Sequence, residues 1–310
     1  MTRWSWYLLV SMTAVISAES LAGSTPFIFP FGLFAWIVYG LHYVLILDFL
    51  AGRQAISLRT LAVGGVVIGI TTESLMTKVI WNPPWAGEDP LRILGLGVYE
   101  VGFIVAVWHA WMSTALPISL TMTIFGQSAI LSPQQVRRIL RLLPLTLFYI
   151  AALNGFNPLV AIPIVGLNGL GILLTAAWFL YQNKRRPLES IRLTRIERRI
   201  LWGLLILLYV LVLPYRSEAI PTLIPLVLGI LLIAASLMLF ERVSRTAQTP
   251  PPQPMQYTHK ALIRYLLYFM VAGLILMTIG TFGQPITTLI ALMASLLLTL
   301  WGNYYLLRLS

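Results

Sequence analysis

Cysteine is absent from the 310 residues. That excludes disulfides, thiolate catalysis, Cys-ligated zinc and Cys-ligated iron–sulfur clusters. Charge is almost as scarce. Only 10% of residues are Asp, Glu, Lys or Arg, against about 25% in soluble domains. There are three histidines, His42, His109 and His259, which leave little room for a His-rich metal site. Alternating apolar and polar residues are also missing. The apolar stretches are continuous and far longer than the roughly ten residues of a barrel strand, so a β-barrel is excluded.

What remains is sequence suited to a membrane. The chain is 58% hydrophobic with a mean hydropathy of +0.85. A soluble fold needs a polar outside and cannot absorb that much apolar surface, whereas lipid removes the requirement. Apolar runs of roughly 18–25 residues follow one another at about 4–22, 31–50, 59–80, 94–125, 139–155, 159–182, 200–214, 219–240, 262–282 and 285–307. They predict an all-α, polytopic transmembrane helical bundle of about ten spans. The fourth run is too long for one crossing and is expected to tilt, or to break near Pro117. The first run, with Arg3 before it and Ser17-Ala18 near its end, loosely resembles a signal peptide. Ile16 suits a cleavage site poorly, and the run is as long as the others, so it is expected to be retained.

The net charge is +11 and the pI near 10.2. In a soluble protein this would suggest nucleic acid, but here it has a topological reading and no nucleic-acid partner is expected. With the N-terminus inside, every Lys and Arg except Lys78, Arg92 and Arg216 falls on the cytoplasmic side, as the positive-inside bias requires. Both termini are then cytoplasmic and the protein belongs in the cytoplasmic membrane. The basic segment 183–199 reads first as a topology signal and connector, with anionic lipid headgroups as its candidate partner. The segment 246–258 is a proline-rich polar linker, which sets a C-terminal hairpin, 259–310, apart from scaffold spans in 126–245. The external segment 81–90 (WNPPWAGEDP) carries two headgroup-level tryptophans. Its Glu88 and Asp89 are solvated carboxylates more readily than a cation site.

Four of the ionisable residues inside apolar runs of the first 125 residues are the leading candidates: Glu19, Glu73, Glu100 and His109. An ionisable group in hydrocarbon costs at least about 2.5–3.5 kcal/mol and therefore needs protein, water or a partner beside it. At about 1.5 Å rise per residue, Glu19, Glu73 and Glu100 lie about 5, 10 and 9 Å from the outer ends of their spans, so three carboxylates share a level. Lys78 is one turn above Glu73 and placed to neutralise one of them. His109 lies about 22 Å below the outer end of its span. Nine residues separate Glu100 from His109, which is about 180° on an α-helix, so a straight helix cannot aim both at one cavity. Glycines 95, 97 and 102 permit a bend, and a Glu73–His109 pairing across helices three and four stays open. His42 sits near the middle of the second span and Asp48 at its inner end. Between 155 and 310 the spans hold almost no ionisable group away from their ends, so residues 1–125 are expected to carry the polar site and the later spans to act as scaffold.

Close carboxylates raise one another's pKa and let one act as a general acid or base. With His109 they are a candidate metal site that activates water. They also suit a proton or cation relay. The candidate catalytic residues are Glu73, His109, Glu100 and Glu19. No cofactor-binding motif is found, and the sequence specifies neither metal nor oligomeric state.

Five strings carry resemblances: Glu19 to Pro26, Tyr39-Gly-Leu-His42 through Asp48, Gly69-Ile-Thr-Thr-Glu73-Ser-Leu, Trp81-Asn-Pro-Pro84, and His109-Ala-Trp-Met-Ser113 with Pro117. Over about the first 125 residues they resemble an uncharacterised family of prokaryotic multi-pass membrane proteins. That family typically has two adjacent glutamates where this chain has Thr72-Glu73. The order of a helix-borne glutamate and a helix-borne histidine also resembles the intramembrane CAAX-protease and bacteriocin-processing family. Its pattern is Glu-Glu-x-x-x-Arg, then Phe-x-x-x-His, then His-x-x-x-Asn. Here Thr72, Thr77 and Val105 depart from the pattern and no third motif exists, so the resemblance implies roles only for Glu73 and His109. About ten spans with both ends inside is similar to the drug/metabolite transporter superfamily, whose inverted repeat would divide this chain near residue 157. The expectation is thus an intramembrane hydrolase-like enzyme acting on a lipid or membrane-embedded substrate, with a small-solute transporter and a structural or assembly subunit as alternatives.

Overall fold

The computed structural model describes residues 2–15, 31–82, 92–98, 100–125, 191–214 and 223–248. They are mostly helical, in the order α1 (Arg3–Val15), α2 (Phe31–Gly52), α3 (Leu58–Thr71), a π-helical turn π1 (Thr72–Met76), a short hairpin β1 (Arg92–Ile93) and β2 (Leu96–Gly97), a π-helix π2 (Glu100–Ala115), α4 (Leu116–Phe125), α5 (Arg195–Val212) and α6 (Leu223–Thr246). Among the described residues, four helical segments are long and apolar enough to cross a membrane: Leu33–Gly52, Leu58–Met76, Glu100–Ser119 and Leu226–Thr246. The runs at 139–155, 159–182, 262–282 and 285–307, Glu19, and nearly all of the proline-rich linker lie outside the described residues.

Two compact units divide the chain. The described part of the first holds α1, α2 as far as Gly40, and α4 from Pro117. In α1 the buried hydroxyls of Ser11 and Thr13 donate back to the carbonyls of Tyr7 and Leu9 at 2.8 Å each, which satisfies them without a partner helix. Ser11 lies against Gly40 of α2, where a side chain would meet its hydroxyl.

The second unit takes in Leu41–Leu116 and Ile191–Thr249 and is built around α3. Ser57 caps that helix reciprocally. Its hydroxyl accepts the Thr60 N–H at 3.2 Å, and the Thr60 hydroxyl accepts the Ser57 N–H at 2.9 Å. π2 crosses α3 at its glycines. A Cβ added to Gly65 would stand 2.7 Å from Ala110 Cα, and one added to Gly69 would stand 2.8 Å from His109 Cβ. No side chain fits at either place, so Gly65 lets the two backbones touch and Gly69 makes room for the His109 side chain. α6 packs on α3 as well, with Phe240 beside Gly64 and Trp81 beside Gly229. Ile70, Ile80, Trp81 and Val105 form a buried apolar cluster.

Polar contacts gather at both ends of this unit. At one end, Asp48 on α2 accepts from the Leu193 N–H at 2.8 Å and from Arg198 at 2.6 Å. Arg53 meets Glu241 on α6 at 2.7 Å and stacks over Phe49. At the other end, the Lys78 ammonium donates to the Leu213 carbonyl at the end of α5, at 2.9 Å. Arg92 donates to the Trp81 carbonyl at 2.9 Å. Each contact joins residues that the alternation of basic loops assigns to one side. Large apolar side chains on α5 and α6, among them Ile206, Val210, Ile230 and Met238, are more than half exposed, as lipid-facing residues are.

One expectation needs correction, and two take more definite form. Residues 92–97 are not part of the fourth helix. Leu94 and Gly95 both take positive φ, 53° and 84°, and make the two-residue turn of a hairpin, so the fold is not wholly helical. Glycine at 95 and 97 and the bond from Gly97 N to the Ile80 carbonyl, 2.9 Å, hold it there. At Pro117 the helix does not break but changes winding, from π to α across Ala115–Leu116. The last residues of the basic segment are helical. α5 begins at Arg195, within it, because Thr194 and Glu197 form a capping box (Glu197 N to Thr194 Oγ1 at 3.3 Å, Thr194 N to Glu197 Oε2 at 2.7 Å).

The glycine contact generates a direct test. Gly65→Val and Gly69→Val should each destabilise the protein by about 2–3 kcal/mol through overpacking. This would appear as a lower thermal-unfolding midpoint in nanodiscs. Gly203→Ala, with nothing within 4 Å of the added atom, should not lower the midpoint.

Candidate intramembrane acid–base site

The end of α3 is shaped by threonines. The Thr71 hydroxyl donates to the Val67 carbonyl at 2.7 Å, and the Thr72 hydroxyl to the Ile68 carbonyl at 2.7 Å. Hydroxyls bonded to those carbonyls compete with the regular ladder and loosen it. The helix widens there into π1, closed by Thr77 N–H to the Thr72 carbonyl at 3.0 Å, an i→i+5 bond. Lys78 then adopts φ 57° and the chain folds back, with Trp81 Nε1 donating to the Ser74 carbonyl at 2.9 Å.

Glu73 stands in this widened turn. One carboxylate oxygen, Oε1, bonds His109 Nε2 of π2 at 2.8 Å, and the other accepts from the Thr77 hydroxyl at 2.5 Å. His109 is 1% exposed and Glu73 8%, so neither lipid nor bulk water competes for the bond. On the far side of the imidazole, Nδ1 lies 3.5 Å from Ser113 Oγ, which itself donates to the His109 carbonyl at 3.0 Å. Tyr43 of α2 donates to the Ser113 carbonyl at 2.6 Å. The histidine is thus held by a carboxylate on one nitrogen and keeps the other beside a hydroxyl, the arrangement of an oriented acid–base unit. Ser74 Oγ and Thr114 Oγ1 are buried with no hydrogen-bond partner among the described residues. Such orphaned hydroxyls ordinarily bond water or a ligand.

Of the four expected site residues, the structure brings Glu73 and His109 together. Glu100 is buried as the first residue of π2, and Glu19 lies outside the described residues. Depth counted along straight α-helices sets His109 well below Glu73, yet the two are bonded. The fourth helix starts at Glu100 rather than at 94, and its wider winding rises less per residue. Phase changes for the same reason. At roughly 4.4 residues per turn, as i→i+5 bonding implies, nine residues make two turns and return Glu100 and His109 to one side. The Lys78 ammonium, expected near the carboxylates, donates to the Leu213 carbonyl. Among the described residues no three His, Asp or Glu side chains gather as metal ligands. His42 Nε2 lies 2.9 Å from the Tyr209 hydroxyl of α5. Sequence reasoning passed over Tyr209, a lone hydroxyl among aliphatic residues one turn from the end of its helix.

Asp48 plays a different part. It is 3% exposed and is satisfied by Leu193 N and Arg198. Its hydrogen bond first, and its charge second, raise the Arg198 guanidinium above its ordinary value.

A family model described as an uncharacterized membrane protein family matches residues 8–308, and the chain belongs to that family. No curated protein and no solved structure matches it.

Buried polar pairs lose most when only one partner is removed. Thr77→Val should lower stability by about 1 kcal/mol, and Glu73→Leu by about 1–3 kcal/mol, since the latter strands the His109 nitrogen. The double variant Glu73→Leu/His109→Leu should recover part of that loss, a coupling readable as a thermal-unfolding double-mutant cycle. Strict additivity would mean that the two side chains are not partners.

Proposed function

We propose that this member of an uncharacterised membrane protein family is a hydrolase-like intramembrane enzyme acting on a lipid or other membrane-embedded substrate, with Glu73 and His109 as its acid–base unit. The observation that carries the reading is the buried 2.8 Å bond between Glu73 Oε1 and His109 Nε2. A charge withdrawn from water in a membrane helix is costly unless it has a partner and a use.

The chemistry follows from which nitrogen is occupied. With Nε2–H donating to Glu73, the lone pair of the neutral imidazole is on Nδ1, which takes a proton from water as the water oxygen attacks. The carboxylate stabilises the imidazolium that forms. Thr77 holds the second carboxylate oxygen, so Glu73 keeps its orientation as the charge appears. The orphaned hydroxyls of Ser74 and Thr114 are suited to bind the attacking water or a polar group of the substrate.

The same reading includes the topology. Ten spans with both termini inside, in a cytoplasmic membrane, account for the alternation of basic loops and agree with the end-to-end contacts of the second unit. The exposed Arg192, Arg195 and Arg199 at the start of α5 then lie at headgroup level and favour anionic lipid there.

Two measurements test these statements. Because the native chain has no cysteine, single substitutions report sidedness without background. Ala86→Cys should react with a membrane-impermeant thiol reagent in intact cells, and Ser190→Cys and Thr249→Cys only after permeabilisation. The opposite pattern would invert the topology. For the activity, membrane lipid extracts of cells with and without the protein should differ in a defined apolar species. That difference should vanish with Glu73→Gln and His109→Ala and persist with Glu197→Gln. Unchanged extracts, together with solute uptake into proteoliposomes that Glu73→Gln abolishes, would replace the enzyme by a transporter.

A further inference from the structure

Pro117 carries no N–H. It stands where the winding returns to α, and the carbonyl four residues before it is that of Ser113. That carbonyl cannot receive the donor that an α-helix would supply from position 117. Tyr43 of α2 supplies one from outside the helix, its phenol donating to the Ser113 carbonyl at 2.6 Å. Tyr43 and Ser113 are both 0% exposed. A buried tyrosine ordinarily finds some acceptor. Here the acceptor belongs to the residue beside the imidazole of His109.

Ser113 joins this bond to the acid–base pair. Its hydroxyl donates to the His109 carbonyl at 3.0 Å, and the same oxygen lies 3.5 Å from His109 Nδ1. A hydroxyl has one hydrogen, and this one is committed to the carbonyl. Towards Nδ1 the oxygen therefore offers lone pairs. The separation is long for a bond in the resting state, yet it sets an acceptor beside the nitrogen that gains a proton. The contacts run in one line, from the Tyr43 phenol through the Ser113 main chain and hydroxyl to the ring of His109. Glu73 holds the other nitrogen at 2.8 Å.

We infer that Tyr43 is a positioning residue of the Glu73–His109 centre, and that Pro117 gives it this role by withholding the helical donor from the Ser113 carbonyl; this rests on the enzymatic reading above. His109 Nδ1 takes a proton from water while the water oxygen bonds to the substrate. The imidazolium then has an acceptor on each side, Glu73 Oε1 for Nε2–H and Ser113 Oγ for Nδ1–H. The bond to the leaving oxygen or nitrogen breaks, and that atom takes the Nδ1 proton. His109 is neutral again, and the cycle consumes one water and no net proton. Tyr43 touches neither water nor substrate. Without its phenol the buried carbonyl is short of a donor, and the turn that carries Ser113 and His109 shifts to find another.

The test uses full-length protein in lipid bilayers, labelled with 15N-histidine, and lipid extracts of the same membranes. The chain has three histidines, and His109→Ala identifies the His109 signals by their loss. Tyr43→Phe should shift the His109 Nδ1 signal and lower formation of the wild-type membrane product about ten- to hundredfold, as small misplacements of a reacting group do. Tyr43→Phe/Pro117→Ala gives the Ser113 carbonyl a main-chain donor at residue 117 and should restore the signal and most of the product. A tyrosine that merely filled space would not be rescued from residue 117. Where Tyr43→Phe alone does not fold, the double variant decides: wild-type signal and product support the inference, and their loss overturns it. Full product formation by Tyr43→Phe, or a loss that Pro117→Ala does not repair, overturns the inference while the Glu73–His109 reading stands. Membranes with and without the wild-type protein that contain the same products overturn both.

Discussion

Two helices can bring a carboxylate and an imidazole together in hydrocarbon only if their backbones come close enough for short side chains to span the gap. Gly65 and Gly69 supply that closeness. Gly65 faces the π2 backbone at His109 and Ala110, and Gly69 faces the His109 side chain, each at a distance that no β-carbon tolerates. The Glu73–His109 bond, the burial of both groups and the position of Ser113 beside the ring follow from it. In a bilayer this contact has no hydrophobic drive of its own, because lipid tails are as apolar as the helices. Packing and the polar pair therefore support each other. The glycines let the pair form, and the pair adds a directional bond to an interface otherwise held by dispersion.

Winding is the second element. The chain leaves regular α-helix at Thr72 and again over Glu100–Ala115, on the two segments that carry the pair. π-turns are uncommon and recur at functional sites. Here the threonine hydroxyls bonded to the Val67 and Ile68 carbonyls account for the first of them, and Pro117, which has no N–H to give, marks where the second reverts to α. A widened turn changes both the height and the angle at which a side chain projects. That is why Glu73 and His109 meet even though straight-helix arithmetic sets them at different depths.

Much of this was legible in the residues. Apolar run length gave the membrane class, and the energetic cost of buried charge singled out Glu73 and His109 together with Glu19 and Glu100. The basic loops gave an alternation that the contacts of Asp48, Arg53 and Lys78 respect. Other features were missed because the arithmetic assumed one helical period. Glu100 and His109 were assigned to opposite faces on 100° per residue, and residues 94–97 were counted as helix although Gly95 and Gly97 suit a tight turn. Two signals were present but unread. Gly65-x-x-x-Gly69 is a contact motif in plain view, and Thr194-x-x-Glu197 is a helix start. Tyr209 was harder to see, because a single hydroxyl among leucines carries no charge penalty to draw attention.

α5 is fastened at both tips. Asp48 grips its entry through Leu193 and Arg198, and Lys78 reaches the Leu213 carbonyl at its exit, where a cation also suits the negative pole of the helix. A rod bolted top and bottom cannot slide along its axis. Tyr209 lies one turn from the upper bolt, so its hydroxyl stays level with His42. Lys78, left-handed and buried at the rim, is thereby the gauge block that sets the height of a tyrosine more than a hundred residues away in the chain.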